Sequence, residues 1–433
     1  MPIGRRSRGE ASVNAATARA TVSSVARKSA PLVASKALSV GLLGIAAILA
    51  ARGLGPADRG ILALYVAIGT WLPLFGTLGV GTVAQIRLVA TPDETTRALT
   101  LGEFTGAVSV LVIVQCLACP LAAWMLLPLV HVHPSPVGLL ILAFLAAGRL
   151  GSTLLMQGQL AYGLAVQDAV VTTAGSALLV AAIAALFITG SHNPVDYLGA
   201  MSVSVIAQMC ICYVALSRAR QGAAPHPSLV SFLELVRKGY PAMAISLGQS
   251  VTFSGDQFIV GLYLNASAVG VYSVAEGGAE LLRVVPFAVG QVIFYRVATG
   301  SLTREASRMV RRVTISLYVV IGSVAALLAR PLFSVVFGKA FVPGVTPFLI
   351  LVLAELGISL FFLSTSDSLP RGGLVRSSII CTAGMLATLV LDFLLIPSFG
   401  IIGAAWASVA GYWGMGLAAV MATHQTSGAP TTK

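Results

Sequence analysis

Charge is what this sequence has least of. Only 10% of its 433 residues are charged and 57% are hydrophobic, whereas soluble domains carry about a quarter charged residues. That shortfall excludes a water-soluble globular chain and places the protein in a bilayer. Cysteine and histidine are sparse as well, at five each. Cys116, Cys119, Cys210, Cys212 and Cys381 all fall in apolar runs. Their Cys-x-x-Cys and Cys-x-Cys spacings lack the flanking loop and partner ligands of a metal site, so they read as small buried hydrophobes. His131 and His133 share a short loop with no third ligand nearby. No metal and no cofactor is expected. Long polar stretches are missing too, and no loop has room for a catalytic domain, so an enzyme is not expected.

What is present is a series of apolar runs of about 20 residues, the length that spans a bilayer. Taken in turn they number about twelve, near 32–50, 61–80, 101–121, 137–156, 169–188, 195–216, 240–264, 268–292, 313–329, 345–363, 374–396 and 401–422. The expected fold is an all-α polytopic membrane protein. A basic tail at 1–31 precedes a first lobe of six helices over 32–217. An inter-lobe loop at 218–239, a second lobe of helices seven to twelve over 240–423 and a short tail at 424–433 complete the chain.

The net charge of +12 invites a nucleic-acid reading, but its distribution opposes one. With the N-terminus inside, cytoplasmic segments hold Arg5, Arg6, Arg8, Arg87, Arg97, Arg237, Lys238, Arg296, Arg304, Arg308, Arg371 and Arg376 among others, while the far side holds Arg52, Arg59, Arg330 and Lys339. This is the charge asymmetry of membrane topology, so no nucleic-acid partner is expected and both termini should be cytoplasmic. The first thirty residues could also be a signal peptide, but their long basic region weighs against it. The tail is expected to be disordered and to rest on anionic headgroups.

The two lobes carry traces of a duplication. An offset of 210 places Arg27-Lys28-x-x-Pro31 on Arg237-Lys238-x-x-Pro241, Leu54 on Leu264 and Gly60 on Gly270. An even number of crossings per half makes such repeats parallel, with sites tending to lie between them near the midplane.

Polar groups at membrane depth concentrate in crossings seven and eight. Ser246, Gln249, Asp256 and Tyr263 fall close to one face of the seventh helix, and Tyr272, Glu276, Glu280 and Arg283 share a face of the eighth. Such stripes must face protein or water, which argues for a cavity. The spacing lets Arg283 pair along its helix with Glu280 or Glu276, so a structural ion pair competes with a functional site. In the functional reading Arg283 binds an anionic substrate, and Asp256, Glu276 and Glu280 couple ion movement. Glu355 and Asp392 lie in the tenth and eleventh crossings. Arg149, in the fourth, is the strongly buried charge of the first half. Lys36 can snorkel to the cytoplasmic end of its helix, and Asp168 is expected to reach water from a helix end.

Leu54-Gly55-Pro56-Ala57-Asp58-Arg59-Gly60 resembles a segment of the polysaccharide-transporter branch of the multidrug/oligosaccharidyl-lipid/polysaccharide (MOP) flippase superfamily, the branch that includes the Wzx flippases. Similar resemblances lie at Asp256 with Gly270-Val271-Tyr272-Ser273-Val274-Ala275, at Phe337-Gly338-Lys339-Ala340-Phe341, and from Ile396-Pro397-Ser398-Phe399-Gly400 to Ala405. The resemblance implies a MATE-like MOP fold, two six-helix lobes opening alternately to each side. It also implies a flippase for polyprenyl-diphosphate-linked oligosaccharide. On that reading Arg283, Arg149 and Lys36 are candidates for the diphosphate, and Gln249 and Tyr272 for sugar. Partners would be the lipid-linked oligosaccharide, membrane lipids, an H+ or Na+ counter-ion and glycan-assembly proteins. The competing readings are a cation-coupled multidrug or lipid II-type exporter of the same fold and, from another class, a membrane glycan-assembly enzyme or subunit.

Overall fold

Every apolar run expected to cross a bilayer is helical, as it must be where no water is present to satisfy backbone N–H and C=O groups. The computed structural model describes the backbone of residues 6–91, 93–219, 229–298 and 300–425. For 6–34, 36–37, 89–90, 165, 229–231, 240–242, 244–253 and 424–425 the description covers the main chain alone. Among the described residues there is no strand.

Helix α1 runs over Arg6–Gly76. Its apolar part, Leu38–Gly76, has 39 residues and would be about 58 Å long if straight, twice the hydrocarbon thickness of about 30 Å. It is not straight. Gly55 has φ 72° and ψ 179°, backbone angles that only glycine adopts without strain, and Pro56 supplies the preset φ of a first helical residue. The two arms are the first two crossings. The first half continues with α2 (Val80–Ala90), α3 (Glu94–Leu126), α4 (Pro136–Ala161), α5 (Ala165–Thr189) and α6 (Pro194–Ala219). The second comprises α7 (Leu229–Tyr263), α8 (Ala266–Ala298), α9 (Arg304–Leu327), the single turn α10 (Ala329–Leu332), α11 (Val345–Ser368), α12 (Leu374–Phe399) and α13 (Ile401–Gln425). Ten helices among the described residues are long and apolar enough to span a bilayer. Counting both arms of α1 and adding the 35-residue α7 gives the expected twelve crossings.

Two expectations at the lobe ends are corrected. The basic tail, expected to be disordered, is helical from Arg6; it is rich in alanine and has no proline between Pro2 and Pro31, so nothing local stops a helix. The inter-lobe loop is shorter than 218–239, because α6 continues to Ala219 and α7 starts at Leu229.

The duplication extends well beyond its sequence traces. An offset of 210 carries the first residues of α3, α4, α5 and α6 to 304, 346, 375 and 404, against observed starts of 304, 345, 374 and 401. Packing repeats as well. In the first half α4 packs on α6, α1 on α5 and α3 on α4; in the second, α11 packs on α13, α7 on α12 and α9 on α11.

The halves meet through the α1 second arm, α7 and α8. At the end away from the termini, Gly60 lies against the Ala266 carbonyl and the Gly270 amide, while Gly270 lies against the Pro56 carbonyl and the Gly60 amide. Residues 56 and 266, like 60 and 270, differ by 210, so the contact is reciprocal: an approximate two-fold axis passes between the two glycines. At the basic end Gly79 touches the Gly239 backbone and Arg87 of α2 pairs with Glu234 of α7 at 2.6 Å.

Lys238 also reaches Glu234, at 2.7 Å. The hydrogen bonds from Lys238 and Arg87 hold the Glu234 carboxyl below its ordinary 4.5. A depressed folded value means the pair's contribution is present above the ordinary value and lost as pH falls through the lower one. Glu234→Gln is expected to loosen the basic-end contact and to abolish its salt sensitivity. Cysteine cross-linking between α2 and α7 reads this out, and an unchanged cross-linking yield at every salt concentration counts against a clasp.

Candidate functional site

The α7–α8 pair is joined by a two-residue link, in which Asn265 Oδ1 accepts from the Ala268 amide at 2.9 Å and caps α8. The cap fixes the start of α8, and helical spacing then puts Tyr272, Glu276 and Arg283 on the face that packs into the second half. Asp256 projects from α7 to meet it. Tyr272 Oη donates a hydrogen bond to Asp256 Oδ2. Ser408 of α13 donates to the same oxygen at 3.4 Å, and the Gln257 amide donates to Asp256 Oδ1 at 2.8 Å. Gln257 Nε2 donates to Glu276 Oε2 at 2.5 Å, tying the second carboxylate to the first.

Arg283 anchors the other end. Its guanidinium pairs with Glu280 at 2.6 Å and with Glu355 of α11 at 3.2 Å. Asp392 lies on α12, which packs on α7, and both its carboxyl oxygens are buried without a hydrogen-bond partner among the described residues.

These groups are packed inside the second half rather than spread on its surface. Asp256 is 2% exposed, Glu355 3% and Asp392 1%. Glu280 differs, with its side chain 43% exposed beside a guanidinium that is 11% exposed. Glu280 and Glu355 thus share one arginine, and Glu276, Asp256 and Asp392 add three more carboxyl groups on α8, α7 and α12 with no second arginine paired to them among the described residues. So many carboxyl groups against one cation is an arrangement that low-dielectric surroundings penalise by several kcal/mol per unpaired ion. The chemistry open to such a cluster is to take up protons or a small cation and to give them back when its exposure changes.

Several residues expected in the site lie elsewhere. Tyr263 is exposed, its ring edge-on to Phe393 with centroids 6.3 Å apart; at the last turn of α7 the polar stripe has already rotated away from the core. Arg149 sits on α4, which packs on α6, α3 and α1. It is half-buried, with its Nε unsatisfied among the described residues, and it belongs to a different half from Arg283. Asp168 does not reach water: it is 3% exposed, on a helix packed chiefly against α1 and α6. The side chains of Lys36, Ser246 and Gln249 lie outside the described residues.

Glu355 as a second partner of Arg283, and Asp392 on the helix packed against α7, were visible as charges at membrane depth but could not be placed from sequence. Gln257 and Ser408 gave no signal at all.

Tyr272→Phe removes the donor to Asp256 and keeps the ring volume. A loss of about 1–2 kcal/mol is expected, measured by thermal unfolding in detergent. A change below about 0.3 kcal/mol would show the hydroxyl to be idle there.

The fold is shared with solved MOP-superfamily transporters. An inward-facing multidrug resistance MATE family transporter matches with a TM-score of 0.70 at 14% identity, over 90% of this chain and 96% of that one. The lipid II flippase MurJ in an inward closed conformation gives 0.67 at 13%, over 91% and 87%. A point mutant of the Vibrio cholerae MATE transporter VcmN gives 0.65 at 13%, over 95% and 98%. No curated protein matches the sequence significantly. Residues 25–298 match the family described as polysaccharide biosynthesis protein. That match spans more than half of the chain, which therefore belongs to this family.

Proposed function

We propose that this protein is a flippase that carries a polyprenyl-diphosphate-linked oligosaccharide from the inner to the outer leaflet of the cell membrane by alternating access, with both termini cytoplasmic. The substrate class rests on the family. The observation that carries the mechanism is the Arg283 triad, in which a half-exposed Glu280 and a buried Glu355 share one guanidinium. A diphosphate offers the same forked acceptor geometry as a carboxylate. It exchanges with Glu280 on Arg283, and the released carboxylate takes up a proton or cation. Asp256 and Glu276 relay that occupancy to Tyr272 and α13. Arg149 and Lys36 serve the diphosphate from the first half, and Gln249 with Tyr272 the sugar. Glycan-assembly proteins supply the substrate at the cytoplasmic face.

Reconstituted vesicles loaded with a fluorescent polyprenyl-diphosphate oligosaccharide test this reading. Wild type should move the lipid between leaflets, Glu280→Gln should uncouple movement from an imposed pH or Na+ gradient, and Asp256→Asn should stop it. Movement of a cationic drug, with none of the glycan lipid, would instead assign the fold to efflux.

A further inference from the structure

A cavity of about 260 Å³ opens at the basic end of the second half, where the start of α9, the end of α11, the Leu369–Arg371 turn, the start of α12 and the end of α13 converge. Its walls hold Arg304, Arg371 and Arg376 against a single carboxylate, Asp367, with the hydroxyls of Ser368 and Ser377 between them. Two of the guanidinium groups are held in place. Arg371 bonds Asp367 at 3.3 Å, and Arg376 donates to the Ala422 carbonyl at 3.2 Å. Just above, Arg311 donates to Ser364 at 3.1 Å, so the surroundings are cationic as well.

Topological charge bias explains arginines at this end. It does not explain why arginines from α9, a turn and α12 converge on one concavity lined with hydroxyls. The volume falls just under the roughly 300–1,000 Å³ of drug-sized pockets, the scale of a headgroup. Guanidinium forks and hydroxyls together are phosphate chemistry.

We infer that this cavity is a phosphoryl-binding site, separate from the Arg283 cluster, that takes the phosphate of an anionic lipid headgroup or a free phosphate. Occupancy ties the ends of α9, α11, α12 and α13 together at the membrane surface, and so stabilises the second half independently of which substrate is flipped.

The test uses the full-length protein in detergent, titrated with short-chain phosphatidylglycerol, short-chain phosphatidylcholine and inorganic phosphate, with thermal shift and native mass spectrometry as readouts. Phosphatidylglycerol should raise the melting temperature and remain bound, and phosphatidylcholine should not. Arg371→Gln/Arg376→Gln should weaken the apparent affinity at least about tenfold. Arg371→Lys/Arg376→Lys should retain part of it, since charge stays and the fork is lost. Inorganic phosphate matching phosphatidylglycerol assigns the site to the free anion; stabilisation by the lipid alone assigns it to the headgroup. Unchanged phosphatidylglycerol affinity in the glutamine double variant overturns the inference. If that variant fails to fold, Arg304→Gln in the same titration decides, and there too an unchanged affinity overturns it.

Discussion

Arg283→Ala is expected to abolish glycan-lipid movement and to lower stability by about 3–5 kcal/mol, the cost of stranding a buried charge when its partner is removed. Glu355 is the reason: its side chain is 4% exposed and Arg283 is its ion-pair partner at 3.2 Å. The two effects separate in a second variant. Arg283→Met combined with Glu355→Gln removes the buried pair and leaves only the half-exposed Glu280, which water can solvate, so it should recover most of the lost stability while transport stays absent. Thermal unfolding in detergent and vesicle flux measure the two quantities. Flux returning along with stability would reduce Arg283 to a structural pin.

Gly270→Ala and Gly60→Ala carry the second large effect. A methyl group at either position runs into backbone of the opposite half, the Pro56 carbonyl for Gly270 and the Ala266 carbonyl for Gly60, and backbone cannot swing aside as a side chain does. The halves are then held apart at the end away from the termini. Flux should fall at least tenfold, about 1.4 kcal/mol in barrier terms. A cysteine at Leu64, fully buried on the neighbouring turn, should become reactive to an impermeant maleimide added from that side. Wild-type flux with an unlabelled Leu64→Cys would mean that the close approach plays no part in gating.

Much of the fold was legible because a bilayer leaves the chain few choices. Apolar run length marked the crossings, and a basic pair with a proline and a turn glycine gave a repeat whose offset the helices follow throughout. The tail was misread because a rule about charged termini was applied where alanine content and the lack of proline decide. Within the site, Tyr272, Glu276 and Arg283 were legible from helical spacing on one element. The pairs Arg283–Glu355 and Asp256–Ser408 were not, since each joins helices far apart in sequence and depends on how α11 and α13 rotate against α7 and α8. Asp168 shows the same limit from the other side: position near a helix end says nothing about what packs over it.

The break at Gly55 has a consequence for biogenesis. One residue with left-handed backbone angles turns a 39-residue apolar stretch into two passes. Without that bend the segment would enter the insertion machinery as a single long anchor, and each later segment would have to thread in the opposite sense. The arginine-rich loops would then be sent across the membrane, a route their charge resists. The backbone angles of one residue thus set how many passes precede every later loop.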